Sequence, residues 1–229
     1  MFRVGGLGSK GGLEGIPAPD LQLNFDQASI GANAAPNDAI DFSRASQATF
    51  TDADGLVKYA PHNLILQSED LSTTWTATRA TVTANQTTAP DGTTTADKIA
   101  DDGGSTGIGY VNQSFTFLNV PYAFSFYAKQ NEFTSLIVYL VDSGGIVSES
   151  NVTFDISNGT VTSGSGDIES VGNGWFRLLV RGTPASGSGS VRIILPSDTA
   201  TTNSLFLWGA QLSQHKFVPV GNPYIKTTS

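Results

Sequence analysis

The chain contains no cysteine, which excludes disulfide bonds and thiolate metal sites. It is also poor in charge, because 14% of its 229 residues are charged, with 20 acidic side chains against 12 basic ones. The net charge of −8 argues against binding to nucleic acid or to an anionic membrane, since both require a basic surface. No apolar run approaches the roughly 20 residues that span a bilayer, and no signal-peptide core follows Met1. We therefore expect a soluble protein that is made in a cytoplasm.

The first 60 residues have the composition of an arm. Glycine and proline recur throughout residues 1–24, so this stretch cannot close a core alone. Short β-like pieces follow, and Asp54-Gly55 predicts a hairpin turn rather than a calcium loop. We predict that residues 1–60 form an extended arm, either a flexible terminus or a segment that becomes ordered against a partner. In the second case the anchoring side chains are Phe2, Val4, Leu7, Leu13 and Ile16.

Residues 61–229 contain short apolar segments separated by turns rich in glycine and asparagine. In residues 122–129, bulky side chains alternate with small or polar ones, which is the period of a strand with one buried face. No segment has a helical period. The pattern predicts an all-β fold, an antiparallel jelly-roll β-sandwich that follows the extended arm. The predicted strands are Asn63–Gln67, Ala80–Ala84, Asp97–Ala100, Tyr110–Phe117, Tyr122–Lys129, Ser135–Val141, Asn151–Asp155, Thr160–Thr162, Trp175–Gly182, Ser190–Leu195 and Leu205–Leu212.

The sequence offers little for catalysis. Glycan hydrolysis would need two carboxylates about 5 to 10 Å apart, one of them with a raised pKa. Asp167 and Glu169 could share one face of a strand, but their serine and glycine neighbours indicate a solvated turn. His62 and His215 lie near no nucleophile motif and have no spacing that suits a transition metal. We expect a protein that is not an enzyme.

Residues 41–50, with the sequence DFSRASQATF, resemble a segment that precedes the binding domains of many phage fibre and spike proteins. The similarity continues in order to Leu212 through NLILQSED, APDGTTTADK, FSFYAK, FDISNGTV, VGNGWFR and LWGAQL. The chain thus resembles phage head-spike, tail-fibre and decoration proteins that carry a jelly-roll domain like that of carbohydrate-binding modules.

The resemblance implies a structural component of the virion, made in the cytoplasm of the host bacterium. In such a protein, residues 1–60 would attach to capsid, tail or fibre subunits, and residues 61–229 would form the displayed sandwich. Fibres and spikes are often homo-oligomers, and by this resemblance we expect a trimer. The alternative is a receptor-binding module that binds a glycan of the host surface.

Glycan binding would require exposed aromatic rings, because the C–H face of a sugar stacks on a ring while polar groups bind its hydroxyls. Strand alternation places Arg177 and Arg181 on the same face as Trp175, which makes Trp175 a candidate platform. The alternative for Trp175 and Trp208 is a place in the core, where rings in apolar strands usually lie. The full set of candidates is Trp75, Tyr127, Tyr139, Trp175, Arg177, Arg181 and Arg192.

A structural calcium ion is the remaining expectation, and we expect no other cofactor. Jelly-roll binding modules often tie an N-terminal strand to a C-terminal one through a calcium ion bound by carboxylate and carbonyl oxygens. By that analogy the ligands would be Glu69, Asp70, Asp97 and Asp155.

Overall fold

The computed structural model describes residues 62–104, 107–196, 202–214 and 224–228, together with the backbone of four short strands nearer the N-terminus. The chain divides into two units, Met1–Tyr59 and Ala60–Ser229. Five residues that the sequence suggests as anchors lie outside the described residues, and their role stays a prediction: Phe2, Val4, Leu7, Leu13 and Ile16.

The first unit contains two short antiparallel strand pairs. β1 (Leu23–Asn24) pairs with β2 (Ser29–Ile30), and β3 (Thr49–Thr51) pairs with β4 (Val57–Tyr59). β3 and β4 lie on either side of the Asp-Gly dipeptide and pair antiparallel, as the predicted hairpin requires, while the dipeptide itself lies outside the described residues.

The second unit contains two antiparallel sheets. Sheet 1 consists of β5 (Thr76–Thr78), β8 (Tyr110–Phe117), β10 (Ser135–Asp142), β11 (Gly145–Ile146), β12 (Val152–Asp155), β13 (Thr160–Ser163) and β16 (Gly187–Ile194). Sheet 2 consists of β6 (Ala80–Thr87), β7 (Ala96–Asp101), β9 (Tyr122–Gln130), β14 (Asp167–Gly172), β15 (Trp175–Gly182) and β17 (Ser204–Ser213). The strand order is β13-β12-β10-β16-β8-β5 in sheet 1, with β11 beside β10, and β14-β15-β9-β17-β7-β6 in sheet 2.

The chain passes back and forth between the two sheets. β7, β8, β9 and β10 lie alternately in sheets 2 and 1, and β15, β16 and β17 repeat the alternation. Such alternation is typical of a jelly roll. The predicted fold class, an antiparallel jelly-roll β-sandwich, is confirmed.

The core lies between the inner faces of the two sheets. Phe124 and Phe126 of β9, Leu136 and Val138 of β10 and Leu178 of β15 are all buried in it. Full burial of one such side chain stabilises the fold by about 1.5 to 3 kcal/mol. The residues between them in these strands point outward, so each sheet also has an outer face whose side chains do not contribute to this core.

Four segments differ from the prediction, and two of them are the short strands β5 and β11, which have no counterpart among the predicted strands. Residues 63–67 form no strand, because the Asn63 side chain binds the carbonyls of Ala210 and Ile225 at 2.8 and 2.9 Å and holds the backbone in an irregular path. Residues 167–172 form the edge strand β14 instead of a solvated turn. The helical structure described is one 3-10 turn at Ser148–Ser150, and within the described residues no helix is long and apolar enough to cross a membrane.

Candidate functional site

The seven side chains that the sequence suggests for glycan binding lie in three separate places. Residues that alternate with the core residues of a strand point to the outer face of its sheet, and cross-strand partners share that face. The three groups are Trp75 in the main core, Tyr127, Trp175, Arg177 and Arg181 on the outer face of sheet 2, and Tyr139 and Arg192 on the outer face of sheet 1. One site cannot contain all seven.

Trp75 belongs to the core. Its side chain is 6% exposed and packs into the cluster between the sheets. No ring face is left for a sugar, which corrects the expectation that Trp75 is a binding platform. Trp75 comes directly before the short edge strand β5, where an exposed side chain would be expected, but large apolar rings are usually buried.

Trp175 is also buried, on the outer side of sheet 2. It is 1% exposed, packs against Ala89, Ala96 and Trp208, and donates its Nε1 hydrogen to the carbonyl of Thr88 at 3.0 Å. The loop of residues 88–95 therefore covers the ring. The exposed platform expected at Trp175 is not present, and the alternative, a packed ring, describes it correctly.

A second layer of packing, which we name the outer aromatic cluster, covers this part of sheet 2. Tyr127 contacts the Trp208 ring at a centroid distance of 5.3 Å, and Tyr224 contacts Trp208 at 4.6 Å. Burial raises the pKa of Tyr127, and the neighbouring Arg177 partly offsets the rise. The outer aromatic cluster consists of Ala89, Ala96, Trp175 and Trp208, with Tyr127, Phe206 and Tyr224 packed against them.

The two arginines of β15 lie beside this cluster. Arg177 stands opposite Tyr127 and Glu169 in the sheet, and its Nη2 atom is buried without a hydrogen-bond partner. Arg181 forms an ion pair with Asp167 at 2.7 Å. Both arginines thus share the outer face with Trp175, as the alternation predicts, but the Trp175 ring is covered.

The C-terminal segment 224–228 is held against residues 63–69 and β17 by specific contacts. Thr227 exchanges hydrogen bonds with Ser68, and Lys226 forms an ion pair with Glu69 at 2.6 Å. Tyr224 reaches from this segment to the outer aromatic cluster, with its hydroxyl 2.6 Å from the Ser68 Oγ atom. Burial raises the pKa of Tyr224 further, as expected for a phenol in an apolar contact.

The outer face of sheet 1 has a polar row across four strands. Tyr139 of β10 stands directly opposite Arg192 of β16, Arg192 opposite Asn112 of β8, and Asn112 opposite Thr76 of β5. With strands about 4.8 Å apart, the row extends over about 14 Å. All four side chains are partly or fully exposed, so they are open to a ligand.

An apolar row lies immediately beside the polar one. Ile137 of β10 stands opposite Ile194 of β16, which stands opposite Tyr110 of β8. The guanidinium carbon of Arg192 lies 5.0 Å from the centroid of the Tyr110 ring, and Arg192 Nε donates to Ser190 Oγ at 3.3 Å. The guanidinium is therefore held on the ring in a defined position. We call these two rows the sheet 1 outer face.

Charge is almost absent from this sheet. Its seven strands contain three charged side chains, Asp142, Asp155 and Arg192, and the two aspartates lie at strand ends. The pKa of Asp142 is lowered by hydrogen bonds from the backbone of Ala185 and Gly144, and side-chain and backbone donors of its own turn lower the pKa of Asp155. Arg192 is the one charge in the middle of the face.

The carboxylates suggested for calcium do not gather into a site. Glu69 is paired with Lys226, while Asp70 and Asp155 each accept hydrogen bonds inside their own turns. Among the residues that the structure describes, no group of three or more His, Cys, Asp or Glu side chains could hold a metal ion. Glu69, Asp70, Asp97 and Asp155 do not fit a shared calcium site.

Asp97 has a structural role instead. It is fully buried, and its two oxygens accept the backbone hydrogens of Leu71 at 2.7 Å and Asn85 at 2.9 Å. Burial raises the pKa of Asp97 to about 6, against the lowering effect of those two hydrogen bonds. The carboxylate joins the segment before β5 to the irregular part of β6.

Comparison with known proteins finds matches among solved structures. No family model matches the sequence, and no curated protein matches it. A family 35 carbohydrate-binding module from Clostridium thermocellum is similar at 15% identity and a TM-score of 0.40, over 68% of this chain and 100% of that one. TmCBM61, solved with β-1,4-galactotriose, is similar at 12% identity and a TM-score of 0.43, over 68% and 100%.

A phage protein is among the similar structures. The enzymatically active domain of tailspike protein 4 from bacteriophage CBA120 is similar at 15% identity and a TM-score of 0.39, over 64% of this chain. The match covers 20% of the tailspike chain and, for the α-L-arabinofuranosidase MgGH51, 23% of that chain. Identities of 15% or less and TM-scores below 0.5 transfer neither ligand nor activity to this chain.

The set suggested by the sequence contains Tyr139 and Arg192 of the sheet 1 outer face but not the two residues of β8 that contact or stand opposite Arg192. Tyr110 and Asn112 begin β8 and become neighbours of Arg192 only through the pairing of β8 with β16. The alternation within residues 110–117 would have placed both on one face. A single sequence does not show which strand pairs with β8.

Proposed function

We propose that the second unit is a glycan-binding module and that the sheet 1 outer face is its binding surface. One observation carries the proposal, namely two adjacent rows of this face: an apolar row, in which Ile137 and Tyr110 are partly exposed and Ile194 is buried, and a partly exposed polar row along Tyr139, Arg192 and Asn112. A pyranose ring is itself amphipathic, with C–H groups on its faces and hydroxyls at its edge. An apolar strip beside a strip of hydrogen-bonding groups suits such a ligand.

The test combines a glycan array with isothermal titration calorimetry on any glycan that the array identifies. Replacing Tyr139 by Ala should weaken binding by about 2 kcal/mol, the cost of truncating a central aromatic contact, which is about thirtyfold in Kd. Tyr139→Phe keeps the ring and should retain most of the affinity. The melting temperature of both variants should stay close to that of the wild type, because Tyr139 is not part of the core cluster.

Tyr127 supplies a matched control on the other sheet. It is also an outward-facing tyrosine opposite an arginine, but it packs in the outer aromatic cluster. Tyr127→Ala should lower the melting temperature and leave glycan affinity unchanged at a temperature where the variant is folded. If Tyr127→Ala abolished binding and Tyr139→Ala did not, the binding surface would lie on sheet 2 and the proposal would fail.

We propose further that the module binds without hydrolysing its ligand. A glycosidase needs a carboxylic acid with a raised pKa near the bound sugar. The two carboxylates of sheet 1 have lowered pKa values, because Asp142 accepts backbone hydrogen bonds from Ala185 and Gly144 and Asp155 accepts hydrogen bonds inside its own turn. Incubation with a bound polysaccharide should release no new reducing ends, and their appearance would contradict this part of the proposal.

A role on a phage particle is the second part of the proposed function. It is supported by the segment of residues 41–50, which resembles the segment ahead of the binding domains in phage fibre and spike proteins. We propose that residues 1–60 attach the chain to other virion proteins, in a homo-oligomer. Electron cryomicroscopy of intact particles should show the sandwich on the surface. Its absence from purified particles, checked by mass spectrometry, would leave a free glycan-binding protein.

A further inference from the structure

We infer that the sheet 1 outer face selects saccharides in which an isolated carboxylate, such as one uronate unit, lies among neutral sugars. The inference rests on the proposed function of this face. It is carried by Arg192, the one charged side chain in the middle of the face, and by the neutral hydrogen-bonding groups that surround it.

Arg192 has no acidic partner in the described part of the chain. The ion pairs between two described side chains join Arg181 to Asp167 and Lys226 to Glu69. A bound glycan would remove water from the guanidinium, and removing water from a charge is costly unless an opposite charge or several hydrogen-bond acceptors replace it. A ligand carboxylate supplies two acceptors and the missing negative charge in one group.

The geometry around Arg192 favours this pairing. Contact with the Tyr110 ring at 5.0 Å and the Nε bond to Ser190 restrict the guanidinium, so little conformational freedom is lost when a ligand binds. A guanidinium forms two parallel hydrogen bonds with a carboxylate, which a single ammonium group cannot do. Asn112 and Tyr139 flank Arg192 on either side and are neutral, which suits neutral sugars on both sides of the acidic unit.

The charge of the whole chain limits how acidic the ligand can be. With a net charge of −8, the chain repels a polymer that carries a carboxylate on every sugar. One cation cannot compensate for several adjacent anions. The combination of a single central arginine with an acidic chain therefore favours sparse carboxylates over dense ones.

The experiment uses pairs of tetrasaccharides that differ in one unit, glucose in the neutral member and glucuronate in the acidic member, across several linkages. A tetramer of galacturonate serves as the densely charged probe. The full-length chain should bind the acidic member of a pair about tenfold to a hundredfold more tightly than the neutral member. The galacturonate tetramer should bind no more tightly than the singly charged probe, and its affinity should rise as salt screens the repulsion.

Three variants isolate the role of the guanidinium. Arg192→Gln should remove the preference for the acidic member, and Arg192→Lys should retain only part of it because the two-pronged contact is lost. Arg177→Gln is the matched control, since Arg177 also lies opposite a tyrosine but on sheet 2, and it should keep the full preference.

The outcomes separate the inference from the proposed function. Equal binding of both members, with binding still dependent on Tyr139, would overturn the inference and leave glycan binding intact. A preference that survives Arg192→Gln would overturn it as well. If no saccharide of either kind bound, the proposed function would be contradicted, and the inference with it.

Discussion

Replacement of Trp175 by Ala tests whether the outer aromatic cluster is a structural layer or a binding platform. The ring is 1% exposed, and its Nε1 atom donates to the Thr88 carbonyl at 3.0 Å. Removing it leaves a cavity under the loop of residues 88–95 and deletes one anchor of that loop. We expect a large loss of stability and no effect on glycan affinity.

The size of the loss follows from the burial. An aromatic side chain that buries about 200 Å² contributes about 5 kcal/mol at 25 cal/mol per Å², and Trp-to-Ala changes in cores cost about 3 to 5 kcal/mol. The hydrogen bond accounts for about 1 kcal/mol of this. Trp175→Phe keeps most of the apolar contact and should cost about 1 to 2 kcal/mol.

Urea unfolding, followed by the fluorescence of the remaining tryptophans, measures both variants. For a domain of this size, a loss of 3 to 5 kcal/mol lowers the melting temperature by about 6 to 20 °C. Val171→Ala, at a position that is 40% exposed, should change stability by less than about 0.5 kcal/mol and is the control. A Trp175→Ala protein that melts like the wild type but binds glycan weakly would refute the assignment of Trp175 to a structural layer.

Three further predictions concern the same unit. Tyr224→Ala should lower the free energy of unfolding by about 2 to 3 kcal/mol and shift tryptophan emission to the red, because Trp208 loses its cover; unchanged emission would contradict this contact. Asp97 has a folded pKa of about 6 against 3.8 as a free side chain, so the stability it contributes is present below pH 3.8 and is lost as the pH rises through about 6. Asp97→Asn should therefore flatten the dependence of urea unfolding on pH, and parallel profiles for variant and wild type would disprove the assignment. A chelator should leave the melting temperature unchanged, and a drop of several degrees would restore the calcium hypothesis.

The strands of the core were predictable because burial imposes a period of two on each of them. Tyr110–Phe117 and Trp175–Gly182 form strands with the same bounds that their apolar pattern predicts. In these strands alternate side chains point into the core, so the alternation in the sequence and the strand in the structure have the same cause.

Edge segments escaped prediction because neither of their faces is fully buried. β14 is exposed along almost its whole length and is a strand only because β15 pairs with it. Residues 63–67 show the opposite error, because their apolar pattern predicts a strand and they form none. They are held by hydrogen bonds to β17 and to the C-terminal segment instead of by pairing in a sheet. Local composition does not determine which distant segments pair.

The candidate site was predictable only in part for a related reason. Alternation correctly placed Arg177 and Arg181 on the same side of β15 as Trp175. It could not show that the loop of residues 88–95 lies over that side, because a period of two gives the direction of a side chain and not what covers it. Tyr139 and Arg192 were both candidates, but their adjacency depends on the register between β10 and β16.

The two outer faces differ in how far other segments cover them, and this difference is the reason to assign binding to sheet 1. On sheet 2 the rings are sealed by a loop and by the C-terminal segment, through donors such as Trp208 Nε1 to Thr95 Oγ1 at 2.9 Å. On sheet 1, no hydrogen bond among the described residues ties a segment outside the sheet to Tyr139, Arg192 or Asn112. A face that contacts only solvent requires no side chains larger than small polar ones such as Ser114 of β8. The rings of Tyr110 and Tyr139 and the guanidinium of Arg192 are partly exposed together on this face, which is typical of a surface that contacts a partner.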